Sequence, residues 1–363
     1  MLAGVDKTAI ATWFVADKPG EETNFPQVGG VSSSVEFQEI YWRCIVCFFE
    51  SSLRHNVAAR HILFSNHEPP VVDGIDLIGL LERWGIQIVY LPITFRLPCG
   101  VTSWGNQFYI LDIIKYLAAN ECADNIIVLD CDCVWTKPAE KISEAISRYG
   151  CLTYTLDDEH HGWDQSINGV NRQELAQALQ NWIIDCCIDA DPELQNLPFI
   201  HYHGGEVFAA TRQTCGHLAS LIDSLWQWTV KTDSVYGIKE EAHFLSILYA
   251  VSSYPSYTAN AFLKRMWTAF HFNNVGQSDF DLVIWHLPAE KKMGFRRLFR
   301  EITGNSREAW KNQTEENYKQ AVAEVFGIPR RSVEKFILDV LLKLVEKGIS
   351  VRNGVRRESV PIS

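Results

Sequence analysis

The chain has 363 residues, of which 47% are hydrophobic, which is enough apolar material for a large buried core in one large domain with an appendage, or in two domains. Its formal net charge of −11 argues against nucleic acid as the main partner, because duplex binding needs clustered cations. Residues 1–10 lack a basic segment followed by an apolar one, and no run of about 18 apolar residues occurs, so we expect a cytoplasmic protein without signal peptide or membrane span.

The first part of the chain alternates short β-rich runs with helical patterns. Runs such as 126–129 are apolar and too short for a helix, so they are predicted to be buried strands. The predicted elements are, in chain order, a strand at 10–16, a helix at 35–52, a strand at 62–65, a helix at 77–84, a strand at 86–91, a helix at 108–119 and a strand at 126–129. This alternation predicts an α/β fold with a parallel, doubly wound, Rossmann-like sheet.

After Asp132 the pattern is less regular. The predicted elements are a helix at 138–149, a strand at 151–155, a helix at 174–187, a strand at 199–210 that Gly204 and Gly205 interrupt, and helices at 216–230 and 239–251. Between them, residues 157–171 are rich in His, Asp, Asn and Gly, which is typical of a functional loop or lid.

The C-terminal part is predicted to be helical and basic. We assign residues 1–300 to the α/β domain and residues 301–363 to a helical C-terminal extension, with a helix break at 327–329. From Glu290 onward there are 16 Lys and Arg against 10 Asp and Glu, which leaves a net charge of −17 on the rest. Residues 295–300 alternate rings with guanidinium groups, which suits either peripheral contact with an anionic membrane or neutralisation of the acidic body.

The strongest chemical feature is a pair of carboxylates, Asp130 and Asp132, directly after the predicted strand 126–129. Alternation along an extended chain puts both side chains on one side. Like charges this close repel unless a cation lies between them, and hard oxygen ligands suit Mg²⁺ or Mn²⁺. The pattern predicts a divalent-cation site at the carboxyl end of a strand, where open α/β sheets bind ligands. The alternative is an Asp pair that caps the following helix.

This arrangement resembles the glycosyltransferases of the GT-A fold, whose Asp-x-Asp motif at a strand end binds the metal and the donor diphosphate. The resemblance covers residues 8–295, and Trp285-His286-Leu-Pro-Ala-Glu-Lys291-Lys292 is similar to the His-x₅-Lys element of the retaining galactosyltransferase and glycogenin-like branch. It implies that His286 completes the metal site and that Lys292 contacts the diphosphate, with Lys291 as a neighbouring option. His286 could instead be a core histidine beside Trp285.

Adjacent glycines, Gly204 and Gly205, allow the backbone to approach a ligand closely. In the similar enzymes this position adjoins the donor sugar, so both are predicted donor-site residues. The chain departs from that branch here, because His203 and Gly204 stand where an Asn commonly precedes the small residues. Glu206 is a candidate acceptor for a sugar hydroxyl or a catalytic carboxylate, or else it pairs with a nearby Lys or Arg.

Two acidic residues, Glu240 and Glu241, begin a predicted helix, where the macrodipole favours negative charge and could alone explain them. Many GT-A enzymes carry an acidic residue in a similar position, facing the acceptor or the anomeric carbon, which makes both of them candidate catalytic residues. An inverting enzyme needs such a carboxylate to deprotonate the acceptor, whereas a retaining enzyme does not. The sequence does not decide between these two outcomes.

Further donor contacts follow from position in the resembling fold. Ala16 and Asp17 end the first predicted strand, where the family holds the nucleotide base, and Asn106 opens the helix before the metal-binding strand. The polar loop is predicted to be either a lid over the acceptor site, since sugars bind carboxylates and flat aromatic faces, or a solvated loop whose histidines bind adventitious metal. Its residues of interest are Asp157, Asp158, His160, His161, Trp163 and Asp164.

Ten cysteines are present, and they lie mostly inside apolar runs, so reduced, buried thiols are expected rather than disulfides. Cys44 and Cys47 form a Cys-x-x-Cys pair in such a run. Because no second pair follows at zinc-finger spacing, both are predicted to be core residues.

Together these features predict a metal-dependent glycosyltransferase that moves a hexose from a nucleotide-diphosphate sugar, most commonly UDP-linked in this family, to a glycan, lipid-linked or small-molecule acceptor. One alternative is a sugar nucleotidyltransferase, although residues 17–20 match its Gly-rich, basic phosphate loop poorly. Another is a non-catalytic protein that binds a nucleotide sugar.

Overall fold

We describe a computed structural model of residues 8–26, 28–97, 104–156, 166–232, 238–252, 257–269 and 272–341. Its strands are β1 (Thr8–Phe14), β2 (Arg60–Ser65), β3 (Val71–Val72), β4 (Ile75–Asp76), β5 (Gln87–Tyr90), β6 (Asn125–Leu129), β7 (Cys133–Trp135), β8 (Cys151–Thr155), β9 (His203–Thr211), β10 (Tyr257–Thr258), β11 (Leu263–Arg265), β12 (Thr268–Ala269), β13 (Phe272–Asn273) and β14 (Ile284–His286).

The α-helices are α1 (Val35–His55), α2 (Leu77–Arg83), α3 (Tyr109–Ala119), α4 (Glu140–Tyr149), α5 (Arg172–Cys186), α6 (Arg212–Lys231), α7 (Glu241–Val251), α8 (Gly294–Thr303), α9 (Arg307–Lys311) and α10 (Glu315–Phe326). Residues 333–341 are also helical. Short 3₁₀ helices lie at Gly105–Phe108, Pro192–Asn196, Ala259–Ala261, Ser278–Asp281 and Pro288–Glu290.

The central sheet has seven strands in the order β10-β8-β9-β6-β1-β2-β5. The pairs β6–β1, β1–β2, β2–β5 and β8–β10 are parallel, whereas β9 runs antiparallel to both β6 and β8. The predicted α/β class with a mostly parallel sheet is therefore confirmed. Because β1 and β6 are adjacent and parallel, their carboxyl ends meet at one edge, where a ligand site is expected.

Helix α1 shows why the sequence folds against this sheet. The Ser34 hydroxyl accepts a hydrogen bond from Phe37 N and caps the helix. Spacings of three and four residues place Tyr41, Cys44 and Phe48 among its buried side chains. Each large apolar side chain that is fully buried in this way contributes roughly 1.5–3 kcal/mol to stability.

A second, three-stranded sheet with the order β11-β14-β7 was not predicted. Strand β14 runs antiparallel to β7, with His286 opposite Cys133, and β11 runs parallel to β14, with Arg265 opposite His286. Its strands have three residues each, which is too short for an alternating pattern to stand out in the sequence. This small sheet carries distant parts of the chain to the end of β6.

Strand β9 corrects the predicted strand 199–210. It begins only at His203, and it continues through Gly204 and Gly205 without interruption. A methyl group on Gly204 would overlap the carboxylate of Glu206, and one on Gly205 would overlap that of Glu241. The two glycines therefore make room for carboxylates of this chain, within a regular strand.

The helices after β14 pack on α1. Phe295, Leu298 and Phe299 of α8 are fully buried, so residues 295–300 offer no aromatic face to a lipid surface, and the predicted membrane contact through these rings is not supported. Glu50 of α1 accepts hydrogen bonds from Trp310 Nε1 at 3.2 Å and from the Tyr318 hydroxyl at 2.7 Å. The predicted boundary between residues 300 and 301 falls within α8.

In the described parts of the chain, no helix has both the length and the apolarity needed to cross a bilayer. The nine cysteines among these residues are free thiols, and seven of them are buried, including Cys44 and Cys47. Cys186 and Cys187 are exposed instead, because α5 ends there and Cys187 adopts a left-handed backbone conformation with φ of 51°.

Candidate functional site

A cavity of about 420 Å³ lies at the carboxyl ends of β1 and β6, within the size range of small-molecule sites. Many of the residues singled out in the sequence line it. They are Asn106, Asp130, Asp132, Gly204, Gly205, Glu206, Glu240, Glu241 and His286. Ala16, Asp17 and Lys292 are not among the lining residues.

Main-chain hydrogen bonds bring the parts of this site together. Asp130 N donates to Glu206 O at 3.1 Å, which extends the β6–β9 pairing by one residue beyond β6. Leu287 N donates to Asp132 O at 2.9 Å, which extends the β7–β14 pairing in the same way. Three distant segments of the chain therefore converge on the Asp130–Asp132 turn.

Asp130, Asp132 and His286 form a cluster that could hold a divalent cation, since one ligand atom from each lies within 4.8 Å of the others. His286 Nε2 is 3.3 Å from Asp132 Oδ2 and 3.7 Å from Asp130 Oδ2. Both side chains are buried, and Asp132 Oδ1 has no hydrogen-bond partner among the described residues. Buried polar atoms without donors or acceptors fit a bound cation.

The two alternative readings of these residues are not what the structure shows. Helix α4 begins after Ala139 without a side-chain cap, so neither aspartate caps it. A histidine that served only the core would have apolar or main-chain neighbours at its ring nitrogens, whereas those of His286 face two carboxylates, with Asp132 Oδ2 3.3 Å from Nε2 and Glu206 Oε1 3.7 Å from Nδ1.

Charge interactions within the cluster are strong. Burial and the neighbouring charge of Asp132 raise the pKa of Asp130 to about 6. Burial disfavours the charged form of Asp132, but Lys291 and His286 outweigh it and lower the pKa of Asp132. Burial likewise opposes protonation of His286, but Asp132 and Glu206 raise its pKa to about 9. A proton on His286 thus neutralises part of the carboxylate charge. A bound cation would displace that proton and neutralise the charge in its place.

Lys291, rather than Lys292, reaches the cluster. Its Nζ lies 2.9 Å from Asp132 Oδ2 and 5.5 Å from the ring centroid of Tyr41. Burial opposes its charge, yet Asp132 raises the pKa of Lys291 well above the usual range. Lys292 is exposed. The 3₁₀ turn Pro288–Glu290 directs Lys291 inward, so the neighbouring option of the two lysines is the one that lies at the cluster.

Arg265 is a site residue that the sequence analysis missed. Its guanidinium makes a bidentate ion pair with Glu206, with Nε–Oε1 at 2.9 Å and Nη2–Oε2 at 2.8 Å. Burial works against the charge of Glu206, but Arg265 and His286 lower its pKa to about 2. Glu206 Oε1 also lies 3.7 Å from His286 Nδ1. The pairing alternative for Glu206 is therefore the one that the structure shows.

Glu240 and Glu241 lie at the start of α7, as the sequence suggested, but in different surroundings. Glu240 accepts hydrogen bonds from the Tyr202 hydroxyl and from Asn168 Nδ2. Nearby, His243 Nδ1 accepts from Lys239 N at 3.2 Å, which leaves Nε2–H to donate to a carbonyl. Burial raises the pKa of Glu240.

The carboxyl group of Glu241 lies in different surroundings from that of Glu240. Its Oε2 is buried and has no hydrogen-bond partner among the described residues. Burial, together with the charges of Glu240 and Asp130, raises its pKa well above the usual range. The raised pKa favours the protonated form of Glu241, which could donate or accept a hydrogen bond at the cavity wall.

Of the predicted nucleotide contacts, Ala16 and Asp17 hydrogen-bond within the protein, whereas Asn106 lines the cavity. Asp17 is buried and accepts hydrogen bonds from Ser32 Oγ at 2.7 Å and from Thr23 N at 3.0 Å, while Ala16 N donates to Asn66 Oδ1 at 2.8 Å. The two bonds of Asp17 tie the loop after β1 to itself, and the bond of Ala16 ties it to the residue that follows β2. Asn106 donates to Asp17 Oδ1 at 3.3 Å, lines the cavity and keeps its own buried Oδ1 free of hydrogen bonds from described residues.

The residues of interest in the predicted acceptor-site lid lie outside the described residues. They are Asp157, Asp158, His160, His161, Trp163 and Asp164. The last part of the polar stretch does line the cavity, through Ser166, Ile167 and Asn168. The side of the cavity next to α7 is thus formed partly by this stretch.

No protein-family model matches this chain, and no curated protein matches it in sequence. Among solved structures, the chain is similar to mouse xyloside xylosyltransferase 1 in its apo form, with 11% sequence identity and a TM-score of 0.40. The match covers 76% of this chain and 96% of that chain.

Proposed function

We propose that this chain is a metal-dependent glycosyltransferase that transfers a hexose from a nucleoside-diphosphate sugar, UDP-linked, to a hydroxyl of a glycan, lipid-linked or small-molecule acceptor. The observation that carries the proposal is the convergence of Asp130, Asp132 and His286 at the end of β6, on a cavity of about 420 Å³. In this proposal the α/β part, residues 1–300, holds the site, and the helices of residues 301–363 support it.

The charges in the cavity favour a cation as part of the ligand. Five carboxylates line it, and the basic lining residues are Arg265, Lys291 and His286. Arg265 is already paired with Glu206, and Lys291 with Asp132. A diphosphate alone would find these basic groups already engaged with carboxylates, so a hard divalent cation such as Mn²⁺ or Mg²⁺ would bridge the carboxylates and the phosphates.

The residues of this chain have distinct proposed roles. Asp130, Asp132 and His286 would hold the cation, which supplies Lewis-acid stabilisation of the leaving diphosphate. The Lys291 ammonium adds positive charge where the leaving group becomes more negative. Glu206, fixed by Arg265, faces His286 Nδ1 at 3.7 Å and orients the imidazole.

Carboxylates on the α7 side are proposed to bind sugar or acceptor hydroxyls. The pKa of Glu241 is strongly raised, and its Oε2 has no hydrogen-bond partner among the described residues, so it can exchange hydrogen bonds with a hydroxyl group. Glu240 is fixed by Tyr202 and Asn168 and remains a candidate base. Gly204 and Gly205 line the cavity beside the carboxylates of Glu206 and Glu241, where they are proposed donor-site residues, and Asn106 Oδ1 is a proposed contact for the nucleotide.

The direct test uses Asp132→Asn, which removes one charge with almost no change in shape. We expect the variant to fold but to lose Mn²⁺-dependent binding of UDP in calorimetry, together with Mn²⁺-dependent hydrolysis of UDP-sugars. Metal-dependent binding and hydrolysis should each fall by more than roughly 10–100-fold, which is the usual effect of removing a group that only supports a metal ligand.

Asp189→Asn is the matched control, because Asp189 is exposed and lies outside the cavity. Undiminished Mn²⁺-dependent binding in Asp132→Asn would contradict the proposal. Binding without any hydrolysis or transfer in the unmodified protein would favour the non-catalytic alternative.

A further inference from the structure

A second cavity, of about 330 Å³, lies between β8, β9, α7 and the segment before β9. It shares no lining residue with the first cavity, even though Tyr202 lines the first and its neighbours His201 and His203 line the second. Its volume falls within the range of small-molecule sites and is about ten times the roughly 30 Å³ that one water molecule occupies.

The described residues that line this second cavity include no Asp, Glu, Lys or Arg. Leu197, Pro198, Phe199 and Ile200 supply apolar wall from the segment before β9. Apart from the imidazoles of His201 and His203, no side chain in the described lining could balance a phosphate, a carboxylate or an ammonium group. A charged ligand would therefore lose its hydration without compensation, which selects an uncharged one.

Two buried hydroxyl groups in this lining lack partners. Thr153 Oγ1 of β8 and the Tyr249 hydroxyl of α7 have no hydrogen-bond partner among the described residues, and each side chain belongs to a residue that is only 5% exposed. Burial raises the pKa of Tyr249 well above its usual range, so the hydroxyl keeps its proton and can donate it. Buried hydroxyls without partners are costly, and a bound polar group would satisfy them.

The proportion of apolar to polar groups in the lining further limits which ligands can bind. Ser246, the other hydroxyl in the lining, already donates to Ala242 O at 2.7 Å and accepts from His203 N at 2.9 Å. A free sugar would bury many hydroxyl groups here with few partners. A ligand with one hydroxyl on an apolar body matches what the cavity offers.

We propose that this cavity is a binding site for an uncharged small molecule with an apolar body and a single hydroxyl group, such as a phenol, whose oxygen hydrogen-bonds to Tyr249 and Thr153. The site does not depend on the proposed transferase activity. It does share two elements with the first cavity, because α7 carries Glu241 at its start and Tyr249 near its end, and β9 carries both Glu206 and His203.

The test measures binding of 4-ethylphenol to the full chain by calorimetry and ligand-observed NMR. We expect saturable binding that UDP with Mn²⁺ does not displace. Tyr249→Phe and Thr153→Val each remove one hydroxyl at nearly constant shape, and each should weaken binding about five- to tenfold, as expected for one lost hydrogen bond. Tyr90→Phe is the matched control, because Tyr90 is exposed and lies in β5 at the far edge of the sheet.

Ala250→Phe, which places a ring in the cavity lining, should abolish the binding while leaving UDP binding intact. Far-UV circular dichroism verifies that each variant is folded. The proposal is overturned if 4-ethylphenol shows no saturable binding up to its solubility, if UDP with Mn²⁺ displaces it, or if neither hydroxyl variant weakens it.

Discussion

Two groups of carboxylates line the first cavity in contrasting surroundings. The metal side consists of Asp130, Asp132 and Glu206, and it is contacted by basic side chains. The helix side consists of Glu240 and Glu241 at the start of α7, and its hydrogen-bond donors are uncharged groups. On the metal side Asp132 and Glu206 have lowered pKa values, whereas both carboxyl groups of the helix side have raised ones.

This contrast indicates two functions within one cavity. The metal side holds the negative charges of Asp132 and Glu206 in place, which suits a cation and, through it, a diphosphate. The helix side favours the neutral acid, which suits hydrogen bonds to hydroxyl groups. A nucleotide sugar has both of these parts, so the division agrees with the proposed function.

The largest effect that separates the two sides is expected from Lys291→Met. Removing this ammonium should lower the rate of donor cleavage about 10²–10³-fold, the effect of losing one group that stabilises charge in the transition state. Steady-state kinetics with Mn²⁺ and a UDP-sugar measure this. Lys292→Met is the matched control and should change the rate little, since Lys292 is exposed. Equal effects of the two variants would contradict the placement of Lys291.

A smaller effect, on stability, is expected from Arg265→Leu. The Glu206 carboxylate is 1% exposed, so losing the bidentate partner would leave a buried charge unpaired. We expect the free energy of unfolding to fall by about 2–3 kcal/mol, below the usual range for fully buried pairs because 23% of the Arg265 side chain is exposed. Urea titration at pH 7 measures it. Arg265→Leu combined with Glu206→Gln should recover part of the loss.

The smallest effect, expected from Glu241→Gln, probes the helix side. In the unfolded chain Glu241 has its ordinary pKa of 4.5 and releases its proton above that pH. In the folded protein its pKa is raised, so it keeps the proton to higher pH. This group therefore lowers stability as the pH rises above 4.5, by at most about 1.4 kcal/mol per pH unit.

Glu241→Gln should remove that slope, so the variant should gain stability relative to the unmodified chain at pH 7 and not at pH 4. Thermal unfolding across this pH range measures the difference. A variant that loses stability at pH 7 would show that Glu241 is ionised in the folded protein.

Local patterns in the sequence predicted the α/β class and the two aspartates well. Strand β6 is a continuous apolar run, and the carboxylates follow it directly, so secondary structure and chemistry could be read from adjacent residues. His286 was found only through the resemblance of its segment to a known family. No periodicity indicated the three-residue strand that holds it.

The rest of the site depends on contacts between distant segments. Arg265 reaches Glu206 because β11 pairs with β14, and neither strand is long enough to be recognised in the sequence. The turn at Pro288–Glu290 decides which of two adjacent lysines points inward. Asp17 was expected at the nucleotide, but its hydrogen bonds to Thr23 and Ser32 hold a loop together, which sequence position alone could not reveal.

The central claim is that one divalent cation is bound by Asp130, Asp132 and His286. A crystal of the full chain, soaked with Mn²⁺ and UDP and measured at the manganese absorption edge, tests it most directly. We predict one anomalous peak at bonding distance from the carboxylates of Asp130 and Asp132 and from His286 Nε2, with the diphosphate of UDP touching it. UDP bound in the cavity with no manganese at these three residues would contradict the account.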